Sequence, residues 1–113
     1  MHTIDELRPR LDKYQGLDMI YHEWGFIIWQ TTTGENVEIV FIEVKEPRKG
    51  HGTKLIEEMC EKIEPFNSVI VFTKESNTIA RAFYKKLGFK ETIIEDLYYK
   101  ENAVLCVIPF DKL

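Results

Sequence analysis

Apolar positions change their spacing several times along the chain, and each change predicts a new element. Thr3-Ile4-Asp5-Glu6 has the spacing of a capping box, which predicts a helix over residues 4–14. Pro9 should interrupt or shorten that helix, and Gly16 should end it. From Ile20 the run IYHEWGFIIWQTTT is aromatic and β-branched, the composition of strands. We expect strands over 21–24 and 26–32, with Gly25 as a bulge or a break between them. TGEN at 33–36 is a turn signal, and it leads through a hairpin into the apolar run VEIVFIEV at 37–44.

The second half alternates helix and strand. Leu55, Ile56, Met59 and Ile63 recur at helical spacing, so a helix over 50–63 follows the turn KEPRKGHGTK. Pro65-Phe66-Asn67 breaks the chain before SVIVFT at 68–73, whose nearly continuous apolar character suits a buried central strand. Glu75-Ser76-Asn77 caps a further helix in which Ala80, Phe83, Tyr84 and Leu87 share one face. Gly88 fits the left-handed position that ends a helix, with Phe89 packing back on Tyr84. The chain returns through TIIEDLYY, a turn at 100–103 and VLCVIPF, an antiparallel hairpin. Helix, two or three strands, helix, strand, helix and two strands make one α/β (α+β) domain over 1–113, with no repeat or low-complexity tract.

The strand–loop–helix at 37–63 is the stretch with the clearest chemistry. A helix start has N–H groups without intrahelical partners, and the helix dipole adds a partial positive charge there. Lys45, Arg48, Lys49 and Lys54 surround this start against the single Glu46, while Gly50 and Gly52 allow close approach of a ligand. The arrangement reads as a phosphate cradle. A Walker-type site does not fit, because Gly52-Thr53-Lys54 has the wrong order and spacing.

Composition and charge narrow the partners. With 44% apolar and 30% charged residues the chain is an ordinary globular one, and its net charge of −4 argues against a general nucleic-acid binder. No run is long and apolar enough to span a bilayer, and the start lacks a signal-peptide core, so a cytoplasmic location is expected. Cys60 and Cys106 should be buried free thiols. His2, His22 and His51 show no metal-ligand spacing, and no metal is expected. Trp24 and Trp29 read as sheet-packing residues or as walls of an acceptor pocket.

Two segments carry a resemblance to a known family. IEVKEPRKGHGTKL is similar to the pyrophosphate-binding signature of the GNAT superfamily of acyl-CoA-dependent N-acyltransferases, a basic residue followed by G-x-G at a helix start. NTIARAFYKKLGF resembles that family's N-x-x-A-x-x-(L/F)-Y-x-x-x-G-F segment with every marker present. The resemblance covers residues 37–110 and implies a GNAT-like mixed, mostly antiparallel twisted sheet flanked by about three helices. Pro47 stands where the family usually has Gln or Arg, and Arg48 lies one position closer to the glycines. The part before the loop is also shorter than usual, so some of the acceptor wall is missing or comes from a second copy, and a homodimer is plausible.

The resemblance also implies an activity, the transfer of an acetyl group from acetyl-CoA to a primary amine by direct attack on the thioester. Backbone groups near Ile42 and Val44 would meet the pantetheine arm. Arg48, Lys49, Gly50, His51, Gly52, Thr53 and Lys54 would hold the pyrophosphate, with Asn77 and Phe83 as further cofactor contacts and Lys85 or Lys86 near the 3′-phosphate. Tyr84 takes the place of the general acid that reprotonates the thiolate, with a core tyrosine as the alternative. Glu43 is the expected base, its pKa raised by burial, with Glu38, Glu23 or ordered water as alternatives. Glu35, Glu38 and Glu43 mildly favour a cationic acceptor, a small molecule or a peptide amine. The competing reading is a CoA-binding or protein-interaction module that keeps the scaffold without turnover.

Overall fold

The computed structural model describes residues 1–13, 16–32, 36–63, 68–98 and 101–113. Helix α1 (Ile4–Lys13) starts at the capping box: the Glu6 N–H donates to the Thr3 hydroxyl, and the Thr3 carbonyl accepts from Glu6 and Leu7. It runs through Pro9 instead of stopping there. Leu7 and Leu11, on either side of the proline, both pack on a cluster with Phe26 and Ile28, and that burial offsets one missing backbone bond. The expected end at Tyr14 lies outside the described residues.

Strands β1 (Leu17–His22) and β2 (Gly25–Thr31) form a tight hairpin with Glu23 and Trp24 at its turn. The break therefore falls at those two residues: the first strand covers 17–22 where 21–24 was expected, and Gly25 is neither bulge nor break but the first residue of β2, paired with His22. A Cβ there would stand 2.8 Å from the Glu43 carbonyl oxygen, so no larger residue fits. β3 (Asn36–Val44) follows; residues 33–35 of the expected turn lie outside the described residues, but Thr32 donates to the Asn36 carbonyl and closes its ends. Helix α2 (His51–Lys62), strand β4 (Ser68–Lys74), helix α3 (Thr78–Lys86), and strands β5 (Lys90–Tyr98) and β6 (Glu101–Pro109) complete the chain, with a short 3₁₀ turn at Phe110–Lys112. The break at Pro65-Phe66-Asn67 is outside the described residues. Of the turn expected at 100–103, residue 100 lies outside the described residues and residues 101–103 are strand, with Ala103 fully buried opposite Ile94 and Lys74.

The six strands form one sheet in the order β1-β2-β3-β4-β6-β5, antiparallel except for the pair β3–β4. This is the mixed, mostly antiparallel sheet with three helices that the resemblance implied. Helices α2 and α3 cover one face, where Leu55, Ile56, Met59 and Tyr84 pack on Val37, Ile39, Val69 and Val71. Helix α1 covers the other face only at the β1–β2 end. That asymmetry explains β4: Val69, Val71 and Thr73 are buried, but Ile70 and Phe72 on the second face are half-buried, not sealed on both sides as the apolar run suggested. No helix among the described residues is long and apolar enough to cross a membrane.

Candidate active site

Strands β3 and β4 lie side by side only from Asn36↔Ser68 to Ile39↔Val71. Beyond that row β3 stays with β2 as far as Val44, β4 stays with β6 as far as Lys74, and a gap opens between them. The parting coincides with a bulge. Ile28 faces Phe41 while Trp29 faces Ile39, so Val40 is an extra residue on β3. The Lys45 N–H donates to the Trp24 carbonyl at 2.9 Å. By the two-residue period of a strand, the backbone groups of Ile42 and Val44 then point the other way, into the gap. Their side chains pack against the α2–α3 face.

Residues 45–50 carry the chain from β3 into α2. Arg48 (φ 62°) and Gly50 (φ 76°) are both left-handed. A Cβ on Gly50 would meet nothing within 4 Å, so glycine serves the backbone conformation there and not the space. Gly52 differs: its Cβ would come 2.9 Å from the Phe83 ring, so this glycine admits a neighbouring side chain where a ligand was expected. The first intrahelical bond runs from the Lys54 N–H to the Gly50 carbonyl. The N–H groups of His51, Gly52 and Thr53 lack helical partners, the cap has no side-chain bond, and the first turn holds no acidic residue. Lys45, Arg48, Lys49 and Lys54 are exposed around this start.

A row of rings braces the start of α2. His51 lies against Trp24 at 4.6 Å between centroids, and Trp24 stacks on His22 at 4.5 Å. The Lys54 ammonium sits 5.6 Å from the Trp24 ring centre, and His22 Nε2 meets Glu58 Oε2 at 2.8 Å. His51, Lys54 and Glu58 thus clamp the β1–β2 turn from one face of α2. Trp29 is a core residue at 3% exposure, whereas Trp24 packs at the core's edge and supports the loop. The Nδ1 atom of His51 is enclosed without a partner among the described residues.

Helix α3 brings Phe83 and Tyr84 against this assembly. Asn77 is its N-cap, its side-chain oxygen accepting from the Ala80 N–H at 3.1 Å, so that oxygen is already engaged. At the other end Gly88 (φ 102°) is left-handed; the Phe89 N–H reaches the Tyr84 carbonyl and the Gly88 N–H that of Lys85, the paired bonds of a Schellman stop. Tyr84 is 3% exposed, with the Phe83 and Phe89 rings edge-on at 5.1 and 5.3 Å. Burial first, and the Cys106 thiol second, push its hydroxyl well above the usual phenol range. Cys106 pairs with Val71, which pairs with Ile39, so Tyr84 sits over the row at which the gap begins. Lys85 and Lys86 are exposed on the last turn of α3.

Glu43 projects to the opposite face. Its Oε2 accepts from the His2 backbone N–H at 3.2 Å and meets His2 Nδ1 at 2.9 Å. Burial pushes this carboxyl up, but the bonds from His2 prevail and hold it below the usual carboxylate range, opposite to the raised value expected. Glu38 lies in the joined part of β3 and accepts from Gln30, Glu23 is in the β1–β2 turn, and Glu35 is outside the described residues. Among these carboxylates Glu43 alone is placed along the gap. His2 gave no sign in the sequence, since it lies far from Glu43 along the chain. Cys60 is half-buried and Cys106 buried, both free, and burial raises both thiols. No group of three or more potential metal ligands occurs among the described residues.

Comparison with known proteins bears on this geometry. Residues 15–91 match the model of a family described as acetyltransferase (GNAT) domain. No curated protein sequence matches the chain. Among solved structures, the chain is similar to the ribosomal-protein-S18-alanine N-acetyltransferase of Escherichia coli, with TM-score 0.71 and 23% identity over 93% of this chain and 76% of that one. It is also similar to a Bacillus subtilis acetyltransferase in complex with CoA, with TM-score 0.76 and 22% identity over 96% and 94% of the two chains. An IAA acetyltransferase from Bacillus cereus gives TM-score 0.73 and 21% identity over 94% and 86%. At these identities the likeness to the solved structures is one of fold.

Proposed function

The chain belongs to the acetyltransferase (GNAT) domain family, and from that premise we propose that it transfers the acetyl group of acetyl-CoA to a primary amine by direct attack on the thioester. The observation that carries the reading is the gap between β3 and β4, flanked by the unsatisfied start of α2 and by Tyr84. The N–H groups of His51, Gly52 and Thr53 take the pyrophosphate, with Gly50 setting the turn and Arg48, Lys49 and Lys54 adding positive charge. Pantetheine runs into the gap along the backbone of Ile42 and Val44, where a free N–H stabilises the oxyanion by a few kcal/mol. Phe83 and Tyr84 close the cofactor side, and Tyr84 passes a proton to the departing thiolate. Its raised pKa keeps the hydroxyl protonated throughout the working range, so it gives up its proton only as another reaches it. Asn77 serves the cofactor by starting α3.

The acceptor approaches from the face of Glu43, across the sheet from Tyr84. The CoA found in the Bacillus subtilis structure supports the cofactor assignment through the shared fold. The two free thiols fit a reducing, cytoplasmic setting, and the open edges at β1 and β5 leave room for a second copy beside the acceptor side. Calorimetric titration with acetyl-CoA, followed by thiol release across a panel of amines, tests the reading. Saturable binding with amine-dependent thiol release is expected. Binding without release under any amine returns the chain to a CoA-binding module, and no binding removes the reading altogether.

A further inference from the structure

The Glu43 carboxylate is engaged before any substrate arrives. Both hydrogen bonds it receives come from His2, one from the backbone N–H and one from the ring. His2 is itself held in place: its carbonyl accepts from the Tyr21 hydroxyl at 3.4 Å, and its ring stands edge-on to Phe26 and Phe41 at 6.2 and 5.7 Å. Tyr21, Phe26 and Phe41 stack in a row across β1, β2 and β3, so the histidine rests on a fixed aromatic platform. Its side chain is still 34% exposed, which leaves the ring open to a solute. A carboxylate only accepts, so the Nδ1 of His2 that faces it is the donor, and the proton the ring can take or release is the one on Nε2.

Building on the acetyltransferase reading, we infer that His2 Nε2 takes the proton from the acceptor ammonium, with Glu43 as the positioning residue that fixes the imidazole. A carboxylate that already receives two hydrogen bonds is a weak base for an ammonium, whereas imidazole is the side chain suited to proton transfer near neutrality. The ammonium gives one proton to Nε2, and the neutral amine attacks the thioester carbonyl. The C–N bond forms and the C–S bond breaks. As Tyr84 gives its proton to the departing sulfur, the nitrogen's surplus proton passes to the Tyr84 oxygen and restores the phenol, and the imidazolium returns its proton to solvent. The titratable groups facing His2 are Glu43 from β3, Tyr21 from β1 and the chain's amino terminus, which also lowers Glu43. His2 lies outside the residues matched to the family, so the assignment is made from this chain's own contacts.

The test compares wild type with His2→Asn, which keeps an N–H donor at the place of Nδ1, and with Glu43→Gln. Acceptors are spermidine, a peptide with a free N-terminus and methoxyamine, which is already neutral at neutral pH. Thiol release gives rates, and calorimetry gives acetyl-CoA affinity. We expect His2→Asn to lower kcat/KM for the basic amines by about 10²-fold, to lose the acid limb of the pH profile and to keep acetyl-CoA affinity within about twofold. Methoxyamine should lose less than about tenfold. Glu43→Gln should move the acid limb to lower pH, because the imidazolium loses its counter-charge. Normal acetyl-CoA binding with an unaltered acid limb in His2→Asn overturns the assignment of His2 alone. A wild type that neither binds acetyl-CoA nor releases thiol overturns the acetyltransferase reading beneath it.

Discussion

The starts of α2 and α3 follow the same strand, turn, helix order and end up chemically opposite. α3 closes on itself: Asn77 accepts from the Ala80 N–H, and the turn before it is tied by Asn77 and Thr78 N–H groups to the carbonyls of Lys74 and Ser76. α2 does none of this. A left-handed glycine occupies its cap, no side chain answers its first N–H groups, and the charges around it are positive. A start without a capping side chain gives up about 1 kcal/mol that a capped one keeps, which fits the pyrophosphate binding proposed for it. The closed start shows what the open one gives up.

The largest effect tests whether the two helices act on one substrate. Tyr84→Phe should cut turnover by about 10²-fold or more while acetyl-CoA affinity by calorimetry stays near wild type, because the hydroxyl acts only as sulfur departs. Loss of affinity in parallel would make Tyr84 a packing residue and separate α3 from the chemistry. Next, Thr53→Glu makes the open start resemble an ordinary acidic one. We expect the helix to gain about 0.3–1 kcal/mol in denaturant titration while acetyl-CoA affinity falls about tenfold or more, since the new carboxylate repels the diphosphate. Stability and binding moving in the same direction would break the comparison.

Asn77→Ala probes the closed start and should cost about 1 kcal/mol of stability, read as a lower Tm, with acetyl-CoA affinity nearly unchanged. A matching fall in affinity would place Asn77 on the cofactor as well. The smallest effect concerns Glu43. Its folded pKa lies below the unfolded one, so its stabilising contribution is complete above the usual carboxylate range and is lost as pH falls through the folded value. The stability difference between wild type and Glu43→Gln, under about 1 kcal/mol for a pair this exposed, should therefore shrink as the pH is lowered into the acid range.

What could be read from the sequence was local. The periods of α2 and α3, the Gly88 stop with Phe89 on Tyr84, and the strand–loop–helix at 37–63 depend on residues within one or two turns of each other, and they stand as expected. The parts that escaped depend on distance along the chain. His2 meets Glu43 across 41 residues, and the Trp24–His51 contact joins a hairpin turn to a helix start. Gly52 lies against the Phe83 ring of a helix well away along the chain, a packing reason for glycine that its own neighbourhood could not show. Pro9 looked like a breaker, since the cluster beneath α1 is invisible in its own composition. The raised pKa expected of Glu43 failed for the same reason: burial was foreseeable and the His2 donors were not.

The bulge at Val40 does two jobs with a single surplus residue. It shifts the phase of β3, so that Ile42 and Val44 fall on the helical layer with Val37 and Ile39 although strict alternation would have sent them away. It also acts as a wedge, bending the strand away from β4 at the row where they separate. Excising Val40 would leave Ile42, Glu43 and Val44 on the layers they now occupy and straighten the strand. The zipper between β3 and β4 would then run on past Ile39 and Val71, giving a tidier sheet with its slot sewn shut.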